Sequence, residues 1–180
     1  MRTFIAIEIN NQDVLKSITK LQSELKINAK PVPIKNIHFT IQFIGEVSVQ
    51  KTENIKNELK SINFESFDVS IIGVGVFPKP NMPRVIWVGA DQKGTKKLSE
   101  LALEISQKLS NLGIKKDKPF KPHATIFRVK NKIGNISNEL KHYESYKFGI
   151  QKVSEINFKK SVLTNDGPIY SDLQVVKAKQ

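Results

Sequence analysis

Ile37-His38-Phe39-Thr40-Ile41 and Pro122-His123-Ala124-Thr125-Ile126 carry one tetrapeptide pattern, His-x-Thr-apolar, 85 residues apart in a chain of 180. The chain has three histidines, and two of them open this pattern. Threonine fills seven of the 180 positions, so chance produces the coincidence about once in 200 such chains. Both copies lie in β-branched and aromatic runs that read as strands, each after a helical pattern and a proline-marked loop. On a strand, residues i and i+2 share a face. Each histidine therefore projects with its own threonine, while Phe39, Ala124, Ile41 and Ile126 face the other way. Two such strands side by side line a groove with two imidazoles and two hydroxyls. One imidazole can act as base and the other as acid near neutral pH, and threonine hydroxyls can donate to phosphate oxygens. A lone His-x-Thr reads most simply as two buried, hydrogen-bonded strand residues; the matched pair reads as a site for in-line transfer at phosphorus.

Working outward, Phe4–Ile9 reads as a strand. Val14, Ile18, Leu21 and Leu25 then make an amphipathic helix capped by Asn10 or Asn11, and Pro31-Val32-Pro33 ends the unit. The first motif strand, 37–44, is expected to stop at Gly45. Ser48 caps a helix carrying Ile55, Leu59 and Ile62. Phe67–Phe77 reads as a strand with a bulge near Gly73 or Gly75. Pro78–Pro83 reads as a rigid turn or loop and Arg84–Gly89 as a strand. The second half repeats the order loosely. Leu98, Leu101, Ala102, Ile105, Leu109 and Leu112 form a helix closed by Gly113. Pro119 and Pro122 flank a loop before the second motif strand, His123–Val129. A weak helix over Ile136–Tyr143 precedes strands near Val153–Leu163 and Tyr170–Val176, joined by a turn at 165–168. Strands and helices alternate without a solenoid period or a flexible linker, which predicts an α+β fold of two lobes in a single domain, residues 1–180.

Composition narrows the chemistry. With no cysteine, the chain has no disulfide framework, thiolate metal site or cysteine nucleophile, which fits a reducing compartment. No apolar run approaches a bilayer span, and the N-terminal segment is too short for a signal peptide, so a cytoplasmic protein without a membrane partner is expected. The formal charge of +12 suits a phosphate-bearing partner, although 26 of the 29 basic residues are lysines, as a lysine-rich proteome would also produce. More telling is the stretch Ile114–Lys132, where seven cations face Asp117 alone. The three arginines, Arg2, Arg84 and Arg128, each offer a bidentate fork that lysine lacks. Arg128 lies three residues past Thr125. Strict alternation turns it to the hidden face, and a bend or bulge is required to bring it to the site.

The paired motifs resemble those of the two-histidine (2H) phosphoesterases. Within that superfamily the chain resembles the bacterial and archaeal RNA 2′,3′-cyclic phosphodiesterases, also called 2′-5′ RNA ligases. The likeness includes the start Arg2-Thr3-Phe4-Ile5-Ala6-Ile7, the segments 37–47 and 120–128, Arg84–Gly89, and Gly167–Tyr170. It implies a bilobal α+β fold of two related lobes, with antiparallel sheets lining a central groove and helices outside. It implies hydrolysis of an RNA 2′,3′-cyclic phosphate end to a 2′-phosphate, with neither metal nor cofactor. His38 would be the general acid and His123 the general base, although near-equivalent motifs would exchange roles on a reversed substrate. Thr40, Thr125 and Arg128 would hold phosphate, and Phe43 would stack on the terminal base or else belong to the core. Trp87 and Tyr170 are assigned to the core and His142 to the surface. The partner is RNA with a cyclic phosphate end, such as a tRNA half, met by a monomer. Two alternatives stay open: a reversible 2′-5′ ligase using the same site, and a non-catalytic RNA-binding protein.

Overall fold

The computed structural model describes residues 1–116 and 118–180. The strands are β1 (Arg2–Glu8), β2 (Lys30–Pro31), β3 (His38–Glu46), β4 (Phe67–Lys79), β5 (Met82–Ala90), β6 (Ala124–Arg128), β7 (Lys147–Val153), β8 (Glu155–Thr164) and β9 (Gly167–Lys177). The helices are α1 (Gln12–Glu24), α2 (Val49–Lys60), α3 (Gln92–Ser110) and the short α4 (Ser137–Leu140), which runs into a 3₁₀ turn over Lys141–Tyr143. Asn11, Ser48 and Asp91 cap α1, α2 and α3 by accepting backbone N–H bonds with their side chains.

The strands join in the order β7-β4-β5-β6-β3-β1-β8-β9, with β2 added to β6 and every named strand pair antiparallel. The order is symmetric about its centre: β6 corresponds to β3, β5 to β1, β4 to β8 and β7 to β9. Among the described residues the two halves meet at one registered pair, Phe39 with Ala124. Both side chains are fully buried, a large ring opposite a methyl group. Beyond that pair no further residues of β3 and β6 are registered with one another among the described residues. On the hidden side α1 packs against β6 and β7, α3 against β3 and β4, and α2 against α3 and β9. Ile5, Ile7, Ile18, Leu21, Ile55, Leu59, Leu98 and Ile105 belong to one continuous core beneath the sheet.

Several expectations need correction. The turn expected over Pro78–Pro83 is narrower than that span: β4 runs to Lys79 and β5 starts at Met82, which leaves the turn at Pro80-Asn81. Pro78 faces Pro83 in register, so the two missing N–H groups fall opposite one another. β3 runs through Gly45, which takes φ 86° and bends the strand without ending it. Strand β7 had no counterpart in the sequence reading, because its inward Gln151 breaks the apolar alternation. Gln151 is nonetheless buried, and its Oε1 accepts the N–H groups of Asn10 and Asn11 at 2.8 and 2.9 Å, tying β7 to the start of α1. β2 also escaped, being two residues long. The expected bulge in β4 occurs at Gly73, where the register slips and φ is 76°.

Candidate active site

Each motif begins with an imidazole held by the backbone two residues earlier. His38 Nδ1 lies 2.7 Å from the Asn36 carbonyl, and His123 Nδ1 lies 2.7 Å from the Lys121 carbonyl. A carbonyl only accepts, so each Nδ1 carries the proton and each Nε2 keeps the free lone pair of the neutral ring. The Asn36 side chain also donates to the Pro168 carbonyl, fastening the loop before β3 to the start of β9. The antiparallel register at Phe39 and Ala124 sets His38 beside Thr125 and Thr40 beside His123. Neither histidine and neither threonine is fully buried, so all four border the groove.

A bulge settles the parity of Arg128. In the β5–β6 ladder Ile86 faces Phe127 and Trp87 faces Thr125, so Ile126 is the extra residue. The slip turns Arg128 back to the face of Thr125. The β1–β3 ladder does the same: Ile5 faces Gln42 and Ala6 faces Thr40, leaving Ile41 as the extra residue. The fourth position of each motif is therefore a bulge, and the residue five past each histidine returns to the groove. In one half that residue is Phe43, in the other Arg128. The Ile126 carbonyl freed by its bulge accepts from Gln22 Nε2 at 2.9 Å and from the Val32 N–H at 2.9 Å.

Phe43 is 69% exposed and so is not a core residue. Its ring centroid lies 6.2 Å from that of Phe4. Trp87 and Tyr170 leave the core as well. Tyr170 meets His38 edge-on at 5.5 Å and Phe4 at 5.0 Å. Trp87 meets His123 at 6.2 Å, and Phe77 meets His123 at 4.9 Å. Gly75 lets the Trp87 ring lie across β4, because a Cβ there would fall inside the indole. Lys121 Nζ sits 5.0 Å from the Phe77 centroid and 5.7 Å from that of Trp87. His142 is exposed, as expected.

The two histidines rest on different ground. Beneath His38 the buried Lys159 Nζ pairs with Glu8, and with Asp172 at 2.7 Å. His38 Nε2 is 3.0 Å from Thr40 Oγ1, a bond with no equivalent between His123 and Thr125 among the described residues. Burial pushes the His38 imidazole down from its ordinary 6.5 to about 4. The Asn36 carbonyl opposes that shift, while the charges of Lys159, Arg128 and His123 add to it. His38 is thus neutral at pH 7 in the free protein, and Thr40 donates its hydroxyl hydrogen to Nε2. Burial likewise holds the Tyr170 hydroxyl above its ordinary range, against the nearby Arg128, Arg2 and Lys159. Sequence reasoning missed Asn36, Glu8, Lys159 and Asp172. The first acts through its backbone, and the other three are ordinary surface residue types until the sheet brings them together. Asp117, the lone acid of the basic stretch, lies outside the described residues. No helix of the described residues is long and apolar enough to cross a membrane.

An Archaeoglobus fulgidus protein named RNA 2′,3′-cyclic phosphodiesterase is 38% identical over 177 residues, covering 97% of this chain and 99% of its own. A crystal structure of a Thermus thermophilus protein superposes with TM-score 0.83 at 25% identity, covering 98% of this chain and 97% of its own. Escherichia coli LigT, solved in complex with 3′-AMP, superposes with TM-score 0.79 at 21% identity, covering 99% of this chain and 98% of its own, and so shares the fold. The LigT-like phosphoesterase family matches twice, over residues 7–87 and 88–170, one match for each motif, and the chain belongs to that family.

Proposed function

We propose that the groove hydrolyses the terminal 2′,3′-cyclic phosphate of RNA to a 2′-phosphate by general acid–base catalysis, with no metal ion. The observation that carries this reading is the matched pair of imidazoles at the heads of adjoining strands of one chain, each with Nδ1 tied to a carbonyl and Nε2 unprotonated, that of His38 accepting from Thr40. His123 Nε2 takes a proton from water as its oxygen bonds to phosphorus. The bond from phosphorus to the 3′-oxygen breaks, and His38 Nε2 delivers the proton that this oxygen needs. Thr40, Thr125 and Arg128 hold the non-bridging oxygens. The names of the curated relatives support the substrate.

The assignment of acid and base follows from the difference between Phe43 and Arg128. An exposed ring beside His38 is a stacking platform for the terminal base, which sets the nucleoside, and hence its departing 3′-oxygen, on the His38 side. Arg128 and the lysines of the His123 side face phosphate and solvent. A His38 that is neutral in the free protein becomes an acid once the phosphate anion arrives, because that charge offsets Lys159, Arg128 and burial. One chain supplies both halves of the site, so the working unit is a monomer acting as a single domain. With an RNA 5′-hydroxyl in place of water, as between tRNA halves, the same pair would form a 2′-5′ linkage.

The test is product analysis of one RNA bearing a 2′,3′-cyclic end, incubated with the purified protein in EDTA. A 2′-phosphate is expected. A 3′-phosphate, a need for added metal, or tight binding without turnover overturns the reading; the last outcome would identify an RNA-binding protein.

A further inference from the structure

Beyond Phe43 the same face continues to a cation with no assigned task. Alternation along β1 places Arg2, Phe4, Ala6 and Glu8 on one face, the face of His38. Across β3 the same line reads His38 opposite Glu8, Thr40 opposite Ala6, Phe43 opposite Phe4, and Glu46 opposite Arg2. Walking away from the histidine therefore meets the phosphate-holding hydroxyl, then the stacking ring, then the guanidinium. Arg2 is exposed and stands about 7 Å along the strand from Phe4. It makes no ion pair among the described residues, and Glu46 opposite it is engaged by the Met1 ammonium at 3.1 Å. The hydroxyl of Tyr170, on a ring packed against Phe4 and His38, lies within the fields of Arg2 and Arg128. The other half has no such site. There the register equivalents of Phe4 and Arg2 are Val85 and Pro83, which carry no charge.

We propose that Arg2, with the Tyr170 hydroxyl, binds the phosphodiester on the 5′ side of the terminal nucleotide, so that the RNA chain leaves the groove over the β1 edge of the His38 half. The inference rests on the proposed function for where the cyclic phosphate and the base sit. It makes the protein a reader of a polynucleotide end in preference to a free cyclic nucleotide. Arginine suits the task, since its planar fork holds a phosphate bidentately.

The experiment compares adenosine 2′,3′-cyclic phosphate with the same nucleotide carrying a 5′-phosphate and with the dinucleotide ApA ending in a 2′,3′-cyclic phosphate. The parent protein should favour the two substrates that carry the 5′ phosphate. Arg2→Gln should lose about tenfold in kcat/KM on those two while staying within about twofold on adenosine 2′,3′-cyclic phosphate. Arg2→Lys should recover part of the loss, and Tyr170→Phe should lose less. Equal losses on all three substrates, or no loss on any, overturn the proposal and leave the proposed function standing. Binding of the unreactive adenosine 3′,5′-bisphosphate against 3′-AMP judges Arg2 without turnover. Arg2→Gln should weaken only the bisphosphate and lower its salt slope by about one, and an unchanged bisphosphate affinity overturns the proposal. If the parent protein turns over none of the three substrates, the proposed function fails while this binding comparison still decides the role of Arg2.

Discussion

The two halves share a motif, a bulge and a backbone anchor for the histidine, yet the floors beneath their histidines are opposites. Under His38 it is ionic: Glu8, Lys159 and Asp172 from three neighbouring strands. Under His123 it is aromatic. The register equivalent of Lys159 is Phe77, that of Glu8 is Gly89, and that of Ala6 is Trp87. One repeated tetrapeptide thus lies in two electrostatic settings. Nothing in the tetrapeptide itself lowers the proton affinity of His38; burial and the charges around it do.

The largest expected effect breaks the pair itself. His38→Ala and His123→Ala should each cut turnover by about 10²- to 10⁴-fold while leaving the circular dichroism spectrum unchanged. Each should also remove one limb of the pH–rate profile, a different limb for each variant. Loss of the same limb in both would show that the halves do not divide the labour.

Lys159→Met tests the ionic floor. Leaving Glu8 and Asp172 without their buried cation should cost about 3 kcal/mol in a denaturant titration. It should also raise the His38 midpoint, because a repelling charge is gone. In the parent protein an NMR titration should place that midpoint near 4, rising when inorganic phosphate binds. The sign for stability follows from a folded-state pKa below the unfolded 6.5. The unfolded chain takes the proton first, so stability falls as pH drops from 6.5 towards 4, by up to about 3 kcal/mol. His38→Gln should remove that part of the acid sensitivity.

Phe43→Ala sharpens the contrast at the fifth motif position. Loss of one base stack is worth about 1–3 kcal/mol, so KM should rise at least severalfold with kcat less affected. Phe43→Leu, which keeps bulk without a π-face, should resemble Phe43→Ala if stacking is the role.

The smallest effect concerns Gln42, whose register equivalent in the other half is Phe127. Gln42 is 5% exposed, and neither its Nε2 nor its Oε1 has a hydrogen-bond partner among the described residues. Gln42→Leu should therefore raise stability by about 1 kcal/mol, read from the denaturation midpoint, with turnover unchanged.

Much of this was legible early. The cap at Asn10 or Asn11, the cap Ser48, the helix patterns and the two motif strands are local features, because cap chemistry and hydrophobic period act over a few residues. Gln151 and Pro78 misled for the same reason: a buried glutamine satisfied by Asn10 and Asn11, and a proline facing a proline, make sense only across a ladder. Tyr170 and Trp87 look like core aromatics in any window, and packing edge-on against a histidine cannot be read from either one alone.

The spacing of histidine and threonine followed from two-residue periodicity and needed no coordinates. The return of Arg128 and Phe43 to the groove did, because a bulge is a property of two strands paired out of step, and Ile41 and Ile126 look like any other inward strand residues. The sequence identified the four side chains of the two repeated motifs. Cross-strand register, which brings Lys159 to one histidine and Phe77 to the other, set the surroundings that push the His38 imidazole down, because desolvation and charge act through space and not along the chain.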